Sequence, residues 1–192
     1  MMRAISVLTL ALLLRACTTT TDLAGIPAQK PAAKAPPENR ARLHTELAAL
    51  YYQQNSLKTA LNELNTATRI DPSYAPAYSM FGLVYMQLGE NAQAAGSFQR
   101  AIALAPADPD IRNNYGLFLC HTGQPQAGLT QLETAWQNPL YDTPGVALAN
   151  ASRCAGTMND TALANRYRQR AERYGVSVDS IPATNHTSPI SQ

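Results

Sequence analysis

Residues Ala75–Asp108, APAYSMFGLVYMQLGENAQAAGSFQRAIALAPAD, decide how the whole chain is read. Large and small side chains alternate there at helical spacing: Tyr78, Phe81, Gly82 and Tyr85 in the first half, Ala94, Phe98 and Ala101 in the second, then Pro106. Two amphipathic helices divided at Gly89 fit this pattern, because apolar residues three and four apart share a helix face and glycine readily ends a helix. Gly82 and Ala94 leave room for the helices to approach, while Phe81, Tyr85 and Phe98 fill the space beside them. Pro106 stops the second helix. Shifting the window by about 34 residues recovers the pattern on both sides. Upstream it falls on Leu47, Ala48, Tyr51, Ala60, Leu64, Ala67 and Pro72; downstream on Tyr115, Gly116, Leu119, Gly128, Leu132 and Ala135, with the proline moved to Pro139.

Worked outward, the chain divides into units 41–74, 75–108 and 109–142 and a degenerate fourth, 143–175. In the first, Leu43, Leu47, Leu50 and Tyr51 recur at helical spacing, and Ser56 is placed to cap the second helix. In the third, Gly123 stands where Gly89 does, and Pro125 suits the first turn of a helix. In the fourth, Val146, Ala149 and Cys154 lie on a helix that Gly156 is expected to break. Asn159 or Asp160 then caps a helix holding Leu163, Tyr167 and Ala171, ended by Gly175. Arg166, Arg168, Arg170 and Arg173 make this last helix polar, as the water-facing end of a stack requires. Trp136 is expected in the core between units, with Leu140 and Tyr141 forming a small exposed apolar patch. The alternation resembles the tetratricopeptide repeat, which implies an all-α fold: a right-handed superhelix of helical hairpins.

A chain of 192 residues allows one such domain plus tails. Its 15 Lys and Arg stand against 13 Asp and Glu, and loss of Arg3 and Arg15 with a leader would leave the two signs balanced. Charges interleave along the helices without a basic stripe, so nucleic acid is not an expected partner. Residues 1–16 read as an export signal: an early arginine, then an apolar run from Ala4 to Leu14 that is too short to span a bilayer. Leu14, Arg15, Ala16 and Cys17 resemble the bacterial lipobox, which makes Cys17 the lipidated first residue of the mature chain; Arg15 departs from the small uncharged residue usual there. The other reading is an ordinary secretory signal that happens to contain a cysteine. Residues 17–39, rich in Thr, Ala, Pro and Lys, then form the lipid anchor and a flexible linker. Thr18 resembles the residue that follows the cysteine in lipoproteins sent to the outer membrane. The repeats occupy 40–175, and 176–192 reads as a disordered tail.

Catalytic and metal chemistry finds no assembled pattern. His44, His121 and His186 are far apart, and no HExxH, CxxC, GxSxG or phosphate loop is present. The chain is therefore not read as an enzyme, and no cofactor is expected. Cys120 and Cys154 are separated by one repeat period, which places them on the first helices of neighbouring units. In an exported chain such a pair favours a disulfide; the alternative is two buried thiols packing as small hydrophobes.

In tetratricopeptide arrays the first helix of each unit lines a concave groove. Here the resemblance assigns Thr45, Tyr52, Ser79, Leu83, Met86, Asn113 and Leu117 to a partner-binding surface, with apolar anchors beside a row of hydrogen-bonding groups. On this reading Met86→Glu weakens partner capture and leaves the array folded. Repeats that bind acidic carboxyl termini carry lysines as well as asparagines; Asn113 and Asn114 fit, but the lysines are missing.

The export signal, the tether, the segment NNYGLFLCHTG from Asn113 to Gly123 and the cysteine partner at Cys154 together resemble the type IV pilus biogenesis and stability lipoproteins of the PilW and PilF family, which includes secretin pilotins. That resemblance implies a lipid-anchored protein on the periplasmic face of the outer membrane. Its partner would be a secretin or another pilus assembly protein, and its role secretin localisation, multimerisation or pilus stability. Two further readings use the same fold: a general periplasmic scaffold for peptidoglycan or outer-membrane assembly factors, and, with Cys17 unmodified, a soluble chaperone.

Overall fold

The computed structural model describes residues 36–180. The expected leader, Cys17, the linker up to residue 35 and the tail from residue 181 lie outside the described residues. Within them the order is α1 (Pro37–Gln53), α2 (Leu57–Ile70), α3 (Ala75–Gln87), α4 (Asn91–Leu104), α5 (Pro109–His121), α6 (Pro125–Trp136), α7 (Pro144–Thr157) and α8 (Thr161–Arg173), then a 3₁₀ turn at Val178–Ser180. No strand occurs among the described residues.

Four hairpins follow from local chemistry repeated in register. The turn inside each contains one residue with a left-handed backbone: Asn55 (φ 57°), Gly89 (φ 75°), Gly123 (φ 79°) and Asn159 (φ 60°). Glycine, and next to it asparagine, adopt that conformation at least cost. In the fourth hairpin the break therefore falls at Asn159. Gly156, expected to interrupt the helix, lies inside α7. Asp160 caps α8 by accepting from the Leu163 amide at 2.9 Å, and Asp108 caps α5 by accepting from Ile111 at 3.0 Å. Ser56 occupies the cap position of α2 without a side-chain hydrogen bond to the helix. Pro109, Pro125 and Pro144 each open a helix, where the missing N–H costs nothing.

Close approach within a hairpin rests on small residues. A Cβ at Gly82 would lie 2.6 Å from the Phe98 ring, and one at Gly116 would lie 2.9 Å from the Gly128 carbonyl oxygen and 2.8 Å from Leu132. Gly116→Ala should therefore destabilise the array by about 1–3 kcal/mol, even though alanine is the better helix former, because a backbone oxygen cannot yield without separating α5 from α6. Gly96 lies inside α4, and a Cβ there meets nothing within 4 Å. Gly96→Ala should stabilise by about 0.5–1 kcal/mol. Urea unfolding of the two variants measures both values.

Burial follows stacking as much as pattern. Phe98 is fully buried, with ring centroids of Phe118 and Tyr115 at 5.3 and 5.8 Å. Phe81 is buried among residues of the first two hairpins. Leu47, its counterpart one repeat earlier, is 37% exposed, and Leu43 and Leu50 beside it are more so, since no hairpin among the described residues precedes α1. Tyr141 is buried while Leu140 is 83% exposed, so the expected patch reduces to Leu140.

The array also continues past its expected end at residue 175. Val178 is buried in the core of the last hairpin, and Val176 sits where a Cβ on Gly145 would lie only 2.6 Å from it. Residues 176–180 thus fold over the end of α7 and α8, covering an apolar edge that a further repeat would otherwise have to shield. No helix among the described residues is long and apolar enough to cross a membrane.

Candidate functional site

The first helices of the hairpins, α1, α3, α5 and α7, touch in sequence, whereas no Cα of α2, α4, α6 or α8 comes within 8 Å of a Cα of another helix in that set. The array therefore curves with the first helices on its inner side. A partner segment lying along that side would meet all four hairpins.

The inner face differs from the expected one at four positions. Met86 is fully buried and packs with Ala94, Phe98, Phe118 and Leu119, so it belongs to the core between the second and third hairpins. Thr45, Ser79 and Asn113 are buried too. The Thr45 hydroxyl donates to the Ala41 carbonyl of its own helix at 2.9 Å. Ser79 and Asn113 join a chain of hydrogen bonds across three helices. Asn114 Nδ2 donates to Ser79 Oγ at 3.2 Å, Asn113 Nδ2 to Asn114 Oδ1 at 3.2 Å, Asn150 Nδ2 to Asn113 Oδ1 at 2.9 Å, and Arg153 to Asn150 Oδ1 at 2.5 Å. These groups tie α3, α5 and α7 together at fixed register, because a buried amide left unpaired is costly. Their role is to hold the face, not to present it.

Tyr52, Leu83 and Leu117 remain half-buried. The Tyr52 hydroxyl has its pKa raised by burial. At the far end a cleft of about 210 Å³ is lined by Leu117, His121, Asn150, Arg153, Thr157 and the cystine. Burial lowers the pKa of Arg153, whose guanidinium is held by Asn150. The cleft combines an apolar wall with a positioned cation, a combination suited to an apolar side chain beside a carboxylate or a backbone carbonyl. Asn150, Arg153 and Thr157 were not among the sequence-predicted residues. They lie on α7, in the degenerate fourth hairpin, whereas the expected groove positions all lie in the first three. A legible signal did exist: Asn150 interrupts the small apolar run ALANAS, where a polar residue needs a partner.

Cys120 and Cys154 are joined as a disulfide, with Cα atoms 5.4 Å apart. That spacing is below the usual helix-axis separation because both side chains point into the α5–α7 contact. Gly128 makes the room; a Cβ there would overlap Cys120 Sγ. His44 is bonded to Glu63 at 2.7 Å, linking α1 to α2. Among the described residues no three His, Cys, Asp or Glu side chains converge as metal ligands would.

Trp136 is half-buried rather than in the core. The Arg170 guanidinium lies 4.0 Å from the centroid of its ring.

Residues 48–89 match the family described as "TPR repeat", and residues 79–142 the family described as "Tetratricopeptide repeat". The chain is built from tetratricopeptide repeats. An uncharacterised protein of Haemophilus influenzae is 30% identical over 118 residues, which is 62% of this chain and 66% of that protein. The type IV pilus assembly protein PilF of Pseudomonas aeruginosa is 27% identical over 180 residues, 93% of this chain and 69% of that one. The crystal structure of PilW, described as a widely conserved type IV pilus biogenesis factor, superposes with a TM-score of 0.66 at 28% identity, covering 70% of this chain and 62% of the other. The tetratricopeptide chain thus spans about two thirds of the length of these relatives.

Proposed function

We propose that this protein is an outer-membrane lipoprotein whose tetratricopeptide array holds a polypeptide partner during type IV pilus assembly, and that it acts by binding and not by catalysis. The observation that carries the reading is the alignment with PilF over 93% of this chain, which takes in residues on both sides of the repeats. The sequence of residues 1–17 supports it, since acylation at Cys17 would supply membrane affinity, and two or more acyl chains make that attachment stable. In this reading the partner is a secretin or another pilus assembly protein. It lies along the inner face on Tyr52, Leu83 and Leu117, with one end in the cleft at Arg153.

Mass spectrometry of the mature N-terminus tests the anchor: a diacylated or triacylated Cys17 is expected, and an unmodified chain overturns it. Deletion of the gene tests the role. Loss of secretin multimers with normal envelope morphology is expected; intact multimers with misshapen cells would point to a general periplasmic scaffold. For the binding face, Leu83→Glu and Leu117→Glu place charge on partly buried sites at the edge of the core. Each should weaken capture of the partner by about tenfold or more, as loss of an apolar anchor does, measured at a temperature where circular dichroism shows the variant still folded. Unaltered capture in both variants would remove this face from the mechanism.

A further inference from the structure

We propose that the groove between α6 and α8, on the outer side of the array, is a second docking site, and that its occupant is an acidic peptide segment of a protein partner. This site is independent of the inner face described above. The α6 and α8 backbones stand apart, and side chains alone bridge them: the Tyr167 hydroxyl donates to the Glu133 carboxylate across the gap. The opening measures about 460 Å³, with Trp136 and Tyr167 on its floor and Arg166, Arg170 and Arg173 along one wall. These arginines are four and three residues apart, so they share one face of α8.

The charge balance makes the site unusual for this molecule. Ion pairs among the described residues join Arg42 to Glu46, His44 to Glu63 and Arg168 to Asp179, and none reaches Arg166, Arg170 or Arg173. Glu133, the one carboxylate lining the groove, is engaged by Tyr167. Outside residues 36–180 the sequence contains a single acidic side chain, Asp22. Among the described residues, then, no carboxylate forms an ion pair with this wall. Guanidinium groups pair with carboxylates through two parallel hydrogen bonds, and Arg170 lies over the Trp136 ring beside the other two arginines. The same tryptophan carries an unmet donor. Trp136 Nε1 is shielded from solvent and has no hydrogen-bond partner among the described residues.

A peptide fits these features better than a bilayer does. The aromatic floor is recessed and the rim carries Gln137 and Gln169, whereas membrane insertion needs apolar side chains that project.

Trp136 is the sole tryptophan of the chain, so its fluorescence reports directly from the groove. A short peptide of alternating glutamate and glycine, added to the full chain at low salt, should shift that emission saturably. The effect should fade at about 0.5 M salt, where charges are screened beyond a few ångström. A lysine and glycine peptide should leave the emission unchanged. Arg166→Glu combined with Arg173→Glu should weaken binding at least tenfold, and Leu83→Glu should not alter it, which separates this site from the inner face. Both arginines are exposed, and Arg166→Gln with Arg173→Gln provides the same test without charge reversal. The proposal is overturned by an unshifted emission, by equal affinity in the glutamine variant, or by a shift that vesicles of phosphatidylglycerol produce and the acidic peptide does not.

Discussion

Met86→Glu is expected to unfold the array before it touches any binding event. Met86 has no exposed surface and lies against Ala94, Phe98, Phe118 and Leu119, so a glutamate there has neither solvent nor a cation to meet. A core methionine replaced by a shorter side chain already costs about 2–5 kcal/mol, and a buried charge adds to that unless it is neutralised. The pH dependence identifies the cause. Burial raises the carboxyl pKa in the folded state above its unfolded value of about 4.3, so the folded state holds the proton more tightly. Relative to the wild type, the penalty should be smallest below about pH 4 and grow as pH rises through the window above it. Met86→Leu, similar in volume, should cost less than about 1.5 kcal/mol at every pH. Urea unfolding at several pH values compares the three proteins. A Met86→Glu protein as stable as the wild type at pH 7 would mean that the side chain faces solvent and that the packing of α3 against α4 and α5 is misassigned.

Loss of the Cys120–Cys154 bond should be nearly as damaging, and local. The bond closes a loop across a sequence separation of 34 residues, for which the chain-entropy relation gives about 3–4 kcal/mol. It ties α5 to α7, so its removal loosens the last hairpin from the three before it. A repeat array is stabilised by contacts between neighbours, and an end unit with a weakened interface unfolds on its own. Reduction, or Cys120→Ser with Cys154→Ser, should therefore split unfolding into two steps. Trp136 emission, reporting from beside α8, should change at lower denaturant than far-ultraviolet dichroism, which averages over all hairpins. Coincident transitions in oxidised and reduced protein would show that the interface holds without the bond. The buried link from Asn113 to Asn150 crosses the same interface, so the reduced protein should retain part of the contact.

These effects are local because each hairpin is a nearly complete folding problem and each interface is a separate one. The distinction also explains the arrangement of the two surfaces. The inner face is built where first helices touch and polar groups cross between them, whereas the α6–α8 groove exists because second helices do not touch. A curved stack supplies both at once, and the arginines of the last helix, which solvation alone would account for, line the second.

The sequence alone determined the all-α class, the number of hairpins and most of their turns. Apolar spacing and the glycines at 89 and 123 are local properties, and helix formation responds to local properties. It also placed Cys120 and Cys154 on neighbouring helices by counting one period. What it left open is the facing of particular side chains. Slot five of each repeat reads as surface, yet Thr45, Ser79 and Asn113 are buried; Leu47 and Phe81 share a slot and differ in exposure because, among the described residues, only Phe81 has a hairpin ahead of it. Met86 faces inward because α4 and the following helix α5 pack over it. Asn150 and Arg153 reach the inner cleft because they lie on the side of α7 turned toward α5, and residues 176–180 find an apolar edge that composition does not announce. The period of a repeat fixes where a side chain points relative to its own helix. Whether it meets water depends on where the next hairpin lies, and that is settled by packing between units far apart in sequence.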